Sequence, residues 1–404
     1  FSGPIPLARY MQETLVHPQH GYYVAEGEDA FGTRGDFVTS PDISQMFGEL
    51  LGIWMITQWE AQGRPSRLCL MELGPGRAAL LQDVLRTIMH FKPVADSLDE
   101  VHLLEASTRM REAQIQRLCS PGHIEKDDDG KPIGAFLLPA YSSHPVKVKW
   151  FDRMEDLTAA HTNQDSTPDT SVTERPWPII FAHEFFDALP THRFRHTDKG
   201  WREIMVDIDP SPTSGRHFRM VLAPKETAAS VGVFTHQGMA DKFSRIPQGH
   251  EVEVSLEARK VAEQVGQIIQ TDGAAMIIDY GKDHPQAETL RGIRDHKFVD
   301  IFVDPGKADL SVDVDFSLVK DAIQGHANVH GPVTQGHLLH ALGIQARLSM
   351  LLRSNPSSRH KDMISAYRRL TEQNSMGQIY KALAVTGTNW KGSPVGFEAP
   401  SSSK

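Results

Sequence analysis

Acidic and aromatic residues stand at the ends of successive apolar runs in this 404-residue chain: Glu72 with Gly74, Glu105, Trp150, His183 with Glu184, and Asp279 with Tyr280. A carboxylate in such a place attracts a cation or accepts hydrogen bonds from hydroxyls, and an aromatic face suits a flat heterocycle. The first run is the most informative. Leu68–Leu73 is apolar except for Glu72 and breaks at Gly74-Pro75-Gly76, after which Leu80, Leu81, Val84, Leu85 and Ile88 fall on one helical face. The spacing predicts a buried strand, a tight turn and a helix, the opening unit of a doubly wound α/β sheet. Gly74-x-Gly76-x-x-Ala79 has the form of a dinucleotide fingerprint. Pro75, however, offers no N–H to a diphosphate, and Glu72 puts negative charge where one would lie. That carboxylate suits instead the ammonium and sulfonium of S-adenosylmethionine, while the glycines let an uncharged ribose and amino-acid moiety approach the main chain.

The other runs supply the rest of the sheet. Strands are predicted at 101–105, 146–150, 178–184 and 274–281, with a last one at 379–385, and their tips share the edge where doubly wound folds carry their chemistry. Glu105 at the second tip accepts both hydroxyls of a ribose, and Trp150 and Phe151 at the third offer a face to an adenine. Each tip alone also has a plain explanation, since acids at strand ends are often solvated and aromatics often pack. Upstream, helical periodicity covers 4–16, and a second helix starts near Pro41 with Ser40 as its cap. Thr39 and Ser40 are thereby candidates for a lid over a cofactor. Residues 201–208 and 217–222 look antiparallel around a Pro-Ser-Pro turn. The organisation expected is an N-terminal helical lid over 1–64, a sheet core over 65–190 and 256–390, an inserted β-rich cap over 191–255, and a disordered tail over 391–404. A polar stretch at 156–175 reads as a mobile surface loop.

Composition narrows the functional classes. Hydrophobic content of 40% and charged content of 23% fit a globular protein, and a formal net charge of −9 argues against a general nucleic-acid or anionic-membrane binder. No apolar run approaches the roughly 20 residues that span a bilayer. The two cysteines, Cys69 and Cys119, form no metal or redox spacing and fit a reduced compartment. His17 and His20 flank Pro18, which spoils a helical metal face, so no metal is expected. The sequence starts at Phe1 rather than methionine, as after removal of a leader or trimming.

Residues 35–52 (Gly-Asp-Phe-Val-Thr-Ser-Pro-Asp-Ile-Ser-Gln-Met-Phe-Gly-Glu-Leu-Leu-Gly), Glu72-Leu-Gly-Pro-Gly-Arg77, His183-Glu-Phe-Phe-Asp-Ala-Leu-Pro190 and Asp313-Val-Asp-Phe316 together closely resemble the MidA-like family. The resemblance runs from Gly3 to about Val385. It implies a seven-stranded, Rossmann-like methyltransferase sheet, S-adenosyl-L-methionine as cofactor, a mitochondrial matrix location, and symmetric (type II) dimethylation of an arginine on a core subunit of the peripheral arm of complex I during assembly. Family members usually continue the turn Gly-Pro-Gly-Arg with glycine; this chain has Ala78, tolerable if its backbone is helical and crowding the cofactor if its φ is positive.

Methylating an arginine needs carboxylates that orient the guanidinium, concentrate electron density on one nitrogen and take up its proton. Glu184 and Asp187 are the first candidates for that clamp, followed by Asp279, Tyr280, Asp313 and Asp315. Asp187 is also readable as a helix cap, and Asp313 and Asp315 are equally readable as caps of the following helix. Glu72 is assigned to the amino end of the cofactor, Glu105 to its ribose, Gly74 and Gly76 to its close approach. Trp150, Phe151, Thr39 and Ser40 complete that side, with His183 as a buried, hydrogen-bonded histidine rather than a base. Two other functions fit the same residues: a nucleotide-dependent oxidoreductase, and an assembly chaperone that keeps the cofactor fold to grip its client. Oligomeric state is not encoded in any motif.

Overall fold

The computed structural model describes residues 3–24, 39–162, 175–213, 216–235 and 239–398. The chain divides into two compact units, one of residues 38–185, 261–280 and 320–404, the other of 1–37, 186–260 and 281–319.

The first unit is built on a mixed sheet. Its main strands, in chain order, are β1 (Leu68–Leu73), β2 (Leu98–Leu104), β3 (Lys147–Phe151), β4 (Trp177–His183), β5 (Ala274–Lys282), β6 (Asn328–Thr334) and β7 (Tyr380–Thr386). Side by side they run β6-β7-β5-β4-β1-β2-β3. β1 to β5 are parallel, and β7 runs antiparallel to both β5 and β6. The order reverses between β1 and β4, the switch point at which doubly wound sheets take their ligands. β1 and β4 bury every residue, as strands covered on both faces must. The expected α/β sheet is therefore present. Two short strands, Pro132–Phe136 and Glu125–Lys126, extend its β3 edge antiparallel. These and β6 escape sequence reading: they are short or polar, and β6 carries Pro332 and a register shift between His330 and Val333.

Helix Gln45–Ala61 packs on helix Ala79–Ile88 through two glycines. A Cβ on Gly48 would stand 2.4 Å from Asp83 Cβ, and one on Gly52 2.8 Å from Thr87 Cβ. The single helix expected from Pro41 is two, Ser40–Ile43 and Gln45–Ala61. Ser44 turns to extended backbone between them and its hydroxyl accepts the Met46 N–H at 3.2 Å. Met154–Thr162 is helical where a loop is predicted. The remainder of that loop (163–174), residues 35–38 of the family motif and the tail from 399 lie outside the described residues.

The second unit is β-rich. Ile5–Pro6, Gly200–Thr213, His192–Thr197 and Glu251–Val254 pair in that order, with Arg216–Leu222 also on Gly200–Thr213. Pro210-Ser211-Pro212 lies within a strand, not at the turn expected of it. Helix Leu7–Val16 buries Leu7, Tyr10, Met11 and Leu15 against Val206, Phe302, Leu310 and Val312.

Candidate active site

At the end of β1 the chain turns through three left-handed residues, Gly74 (φ 63), Gly76 (φ 50) and Ala78 (φ 57). Ala78 caps helix Ala79–Ile88 in that conformation, so its methyl group sits on the unfavourable side of the expectation. A Cβ on Gly74 would meet the Phe185 ring at 2.7 Å, so its missing side chain makes room for that ring. Glu72, one strand position before the turn, is 4% exposed, and its Oε2 has no hydrogen-bond partner among the described residues. Burial pushes its carboxyl up to about 8. An ammonium group placed against that oxygen would satisfy it and restore the charge, which is the fit a sulfonium cofactor with an amino-acid end requires.

A residue that no tip reveals ties this region together. Gln114, fully buried on helix Thr108–Leu118, donates from Nε2 to the Gly76 carbonyl (2.7 Å) and the Glu105 carboxylate (3.2 Å). Its Oε1 accepts the Trp150 indole N–H at 2.7 Å. One amide thus sets the glycine turn, the β2 carboxylate and the β3 aromatic. Glu105, whose other oxygen accepts the Ser107 N–H at 2.8 Å, is raised by burial to about 7. One helical turn before Gln114, the buried Arg111 binds the Glu105 carbonyl (Nε, 2.8 Å) and Asp152 beyond β3. The i, i+3 spacing of Arg111 and Gln114 is the only sequence signal of their shared face. Phe151 corrects the prediction: strand alternation turns it to the other side, against His102 (ring centroids 5.2 Å apart), so only Trp150 joins the Gln114 network.

The tips of β4 and β5 meet a third strand. Glu184 follows β4 with φ 49, a costly conformation for a residue with a side chain, and its N–H bonds the Ile278 carbonyl at 3.0 Å. The Tyr380 hydroxyl donates to Glu184 Oε1 at 3.0 Å. His183 Nε2 stands 3.6 Å from that same oxygen. Burial drives the His183 imidazole down to about 3, so it is neutral at physiological pH. Its ring lies parallel to Tyr380 and tilted to Phe47. Tyr280 meets Tyr380 edge-on (5.4 Å), and the fully buried Asp279 accepts the Tyr280 N–H at 2.9 Å. Tyr380, first residue of the last strand, carries no sequence signal of its part here.

The remaining predicted residues stand as follows. Ser40, fully buried, lies 3.5 Å by Oγ from Gln335 Oε1, while Thr39 is the cap residue, donating from its hydroxyl to Asp42 at 2.8 Å. Ser40 is therefore not the cap. Asp187, Asp313 and Asp315 belong to the β-rich unit. There the Asp187 carbonyl accepts the Val312 N–H (3.0 Å) and Asp313 pairs with Arg291 (2.7 Å). Asp315 accepts the N–H and hydroxyl of Ser317 (2.9 and 2.6 Å), capping helix Phe316–Ile323 as the plain reading had it.

Residues 50–333 match the family described as "Putative S-adenosyl-L-methionine-dependent methyltransferase". The human protein named protein arginine methyltransferase NDUFAF7, mitochondrial, is 37% identical over 387 residues, covering 95% of this chain and 80% of that one. The NDUFAF7 homolog of Drosophila melanogaster, likewise named mitochondrial, is 36% identical over 394 residues, with 95% and 82% covered. A crystal structure from Burkholderia thailandensis, bound to S-adenosyl-homocysteine, has the same fold, with a TM-score of 0.73, 24% identity, and 98% and 90% of the two chains covered. No helix among the described residues is long and apolar enough to cross a membrane. S-adenosyl-L-methionine is the cofactor, and the chain belongs to the methyltransferase family that includes the mitochondrial NDUFAF7 proteins.

Proposed function

We propose that this protein is a protein-arginine N-methyltransferase of the mitochondrial matrix, forming symmetric dimethylarginine on a core subunit of the peripheral arm of complex I during assembly. The observation that carries the reading is Glu184: a buried carboxylate at the β4 tip, in a left-handed backbone, oriented by the Tyr380 hydroxyl beside a neutral histidine. A planar guanidinium, protonated at neutral pH, is the acceptor such a group suits. Glu184 orients it, draws the positive charge toward one nitrogen and sharpens the lone pair of the other. Tyr380 holds the carboxylate in place, and Asp279 with Tyr280 forms the polar wall of the next strand. His183, neutral, adds no competing positive charge.

Glu72 would hold the amino end of the cofactor, Glu105 the ribose hydroxyls, and Trp150 would border the adenine. Bound there, the cofactor supplies an electrophilic methyl group. The arginine substrate and the mitochondrial setting are carried by the relatives' names, and the complex I client by the family resemblance. The test is transfer of a labelled methyl group to the peripheral-arm core subunits, followed by amino-acid analysis. Label in symmetric dimethylarginine supports the reading; label in lysine, or in no residue, overturns it.

A further inference from the structure

The face of the sheet opposite Trp150 carries three side chains that the cofactor side does not use. Cys69 lies near the start of β1, His102 stands in β2, and His161 comes from helix Met154–Thr162, which packs over β2 and β3. They are 0%, 3% and 5% exposed. One donor atom from each, the Cys69 Sγ and a ring nitrogen of each histidine, lies within 4.8 Å of the other two. Their separations in sequence follow no metal-binding pattern; only the register of β1 with β2 and the overlying helix unites them.

The arrangement has the second layer that metal-bound histidines require. His102 Nδ1 faces His161 Nε2 at 2.9 Å, and its other nitrogen, Nε2, faces the Glu100 carboxylate at 2.7 Å. Glu100 is itself held by Lys149 at 2.5 Å. A carboxylate on the far nitrogen fixes the tautomer, leaving the Nδ1 lone pair of His102 turned toward His161.

We propose that Cys69, His102 and His161 hold one borderline transition-metal ion, zinc before others, with Glu100 as the outer carboxylate. A thiolate and two imidazoles are a donor set zinc accepts, with a solvent ligand completing the tetrahedron. Two nitrogens at about 2.0–2.1 Å from a tetrahedral ion stand about 3.3 Å apart, so binding opens the histidine pair by a few tenths of an ångström. Cys69 releases its proton to solvent, and His161 carries its own on Nδ1 instead of Nε2. The ion would staple β1, β2 and helix Met154–Thr162 on the side of the sheet away from the cofactor turn.

The experiment is metal analysis of the purified full chain, then chelation and titration with Co²⁺ followed by absorption. The expected result is about one zinc per chain and a thiolate-to-cobalt charge-transfer band saturating at about one equivalent. Cys69→Ser should lose that band, and Glu100→Gln should keep it with cobalt affinity lowered about tenfold, the usual cost of removing an outer partner. S-adenosyl-homocysteine binding reports that each variant is folded. Wild-type protein that binds S-adenosyl-homocysteine, yet carries less than about a tenth of an equivalent of metal and gives no band with cobalt, overturns the proposal. A band that persists in folded Cys69→Ser also overturns it, since the thiolate then lies elsewhere.

Discussion

Ala78 is held at φ 57 with no exposed surface, where an L-residue is strained by about 1 kcal/mol or more. Ala78→Gly is therefore expected to raise folding stability by about 1 kcal/mol, read as a higher urea midpoint at unchanged slope. Glu72 makes a prediction in pH. Its carboxyl is raised from 4.5 to about 8, so below pH 8 the ligand-free protein holds the proton. A cation binds the ionised form, so binding expels that proton and affinity rises with pH, by up to about tenfold per unit, before levelling above about 8. Calorimetry of S-adenosyl-homocysteine between pH 6 and 9 measures this; Glu72→Gln should bind weakly and lose most of the slope. Unliganded, the same shift acts on folding with the opposite trend: a raised acid pKa costs stability as pH climbs from about 4.5 to about 8. Glu72 was legible in sequence because one acid in an apolar run stands out. Ala78 was legible only as a departure, since its φ depends on how the helix begins.

Between elements, two contacts govern the site. Gly48 and Gly52 let helix Gln45–Ala61 lie against helix Ala79–Ile88, whose first turn follows the glycine bend. Gly48→Val should cost about 2 kcal/mol in urea unfolding by forcing the helices apart, the range for overpacked cores. The second contact is Gln114. Gln114→Leu removes its bonds to Gly76, Glu105 and Trp150 and leaves buried polar groups without partners. Affinity for S-adenosyl-homocysteine should fall at least about tenfold, that is by about 1.4 kcal/mol or more, with the KM for protein substrate little changed. Sequence reading found the strands because parallel central strands are continuous apolar runs. It missed Gln114, Arg111 and Tyr380 because a buried polar side chain leaves no periodic trace; its partners are set by strand order. The face taken by Phe151 was open to the same reasoning, since alternate residues of a strand point apart.

In the whole molecule, connectivity explains why so much chemistry gathers at strand ends. The chain leaves the sheet unit after Phe185, just past the β4 tip, and again after Tyr280, near the end of β5, each time to build part of the β-rich unit. Glu184 stands just before the first exit and Asp279 and Tyr280 just before the second, so the residues proposed to meet the acceptor lie where the fold's long excursions begin. Sequence reading keeps 281–319 in the sheet core, whereas the first excursion was visible in sequence as a change of pattern after residue 190. The grouping of helix Leu7–Val16 with them was not, because its partners Val206, Phe302 and Leu310 are hundreds of residues away. The most direct test of the proposed chemistry is Glu184→Gln, assayed for methyl transfer to an arginine-containing protein substrate and for S-adenosyl-homocysteine affinity. If Glu184 activates the acceptor, turnover falls at least about 100-fold while cofactor affinity stays within about threefold of wild type. Turnover within a few-fold of wild type would contradict it.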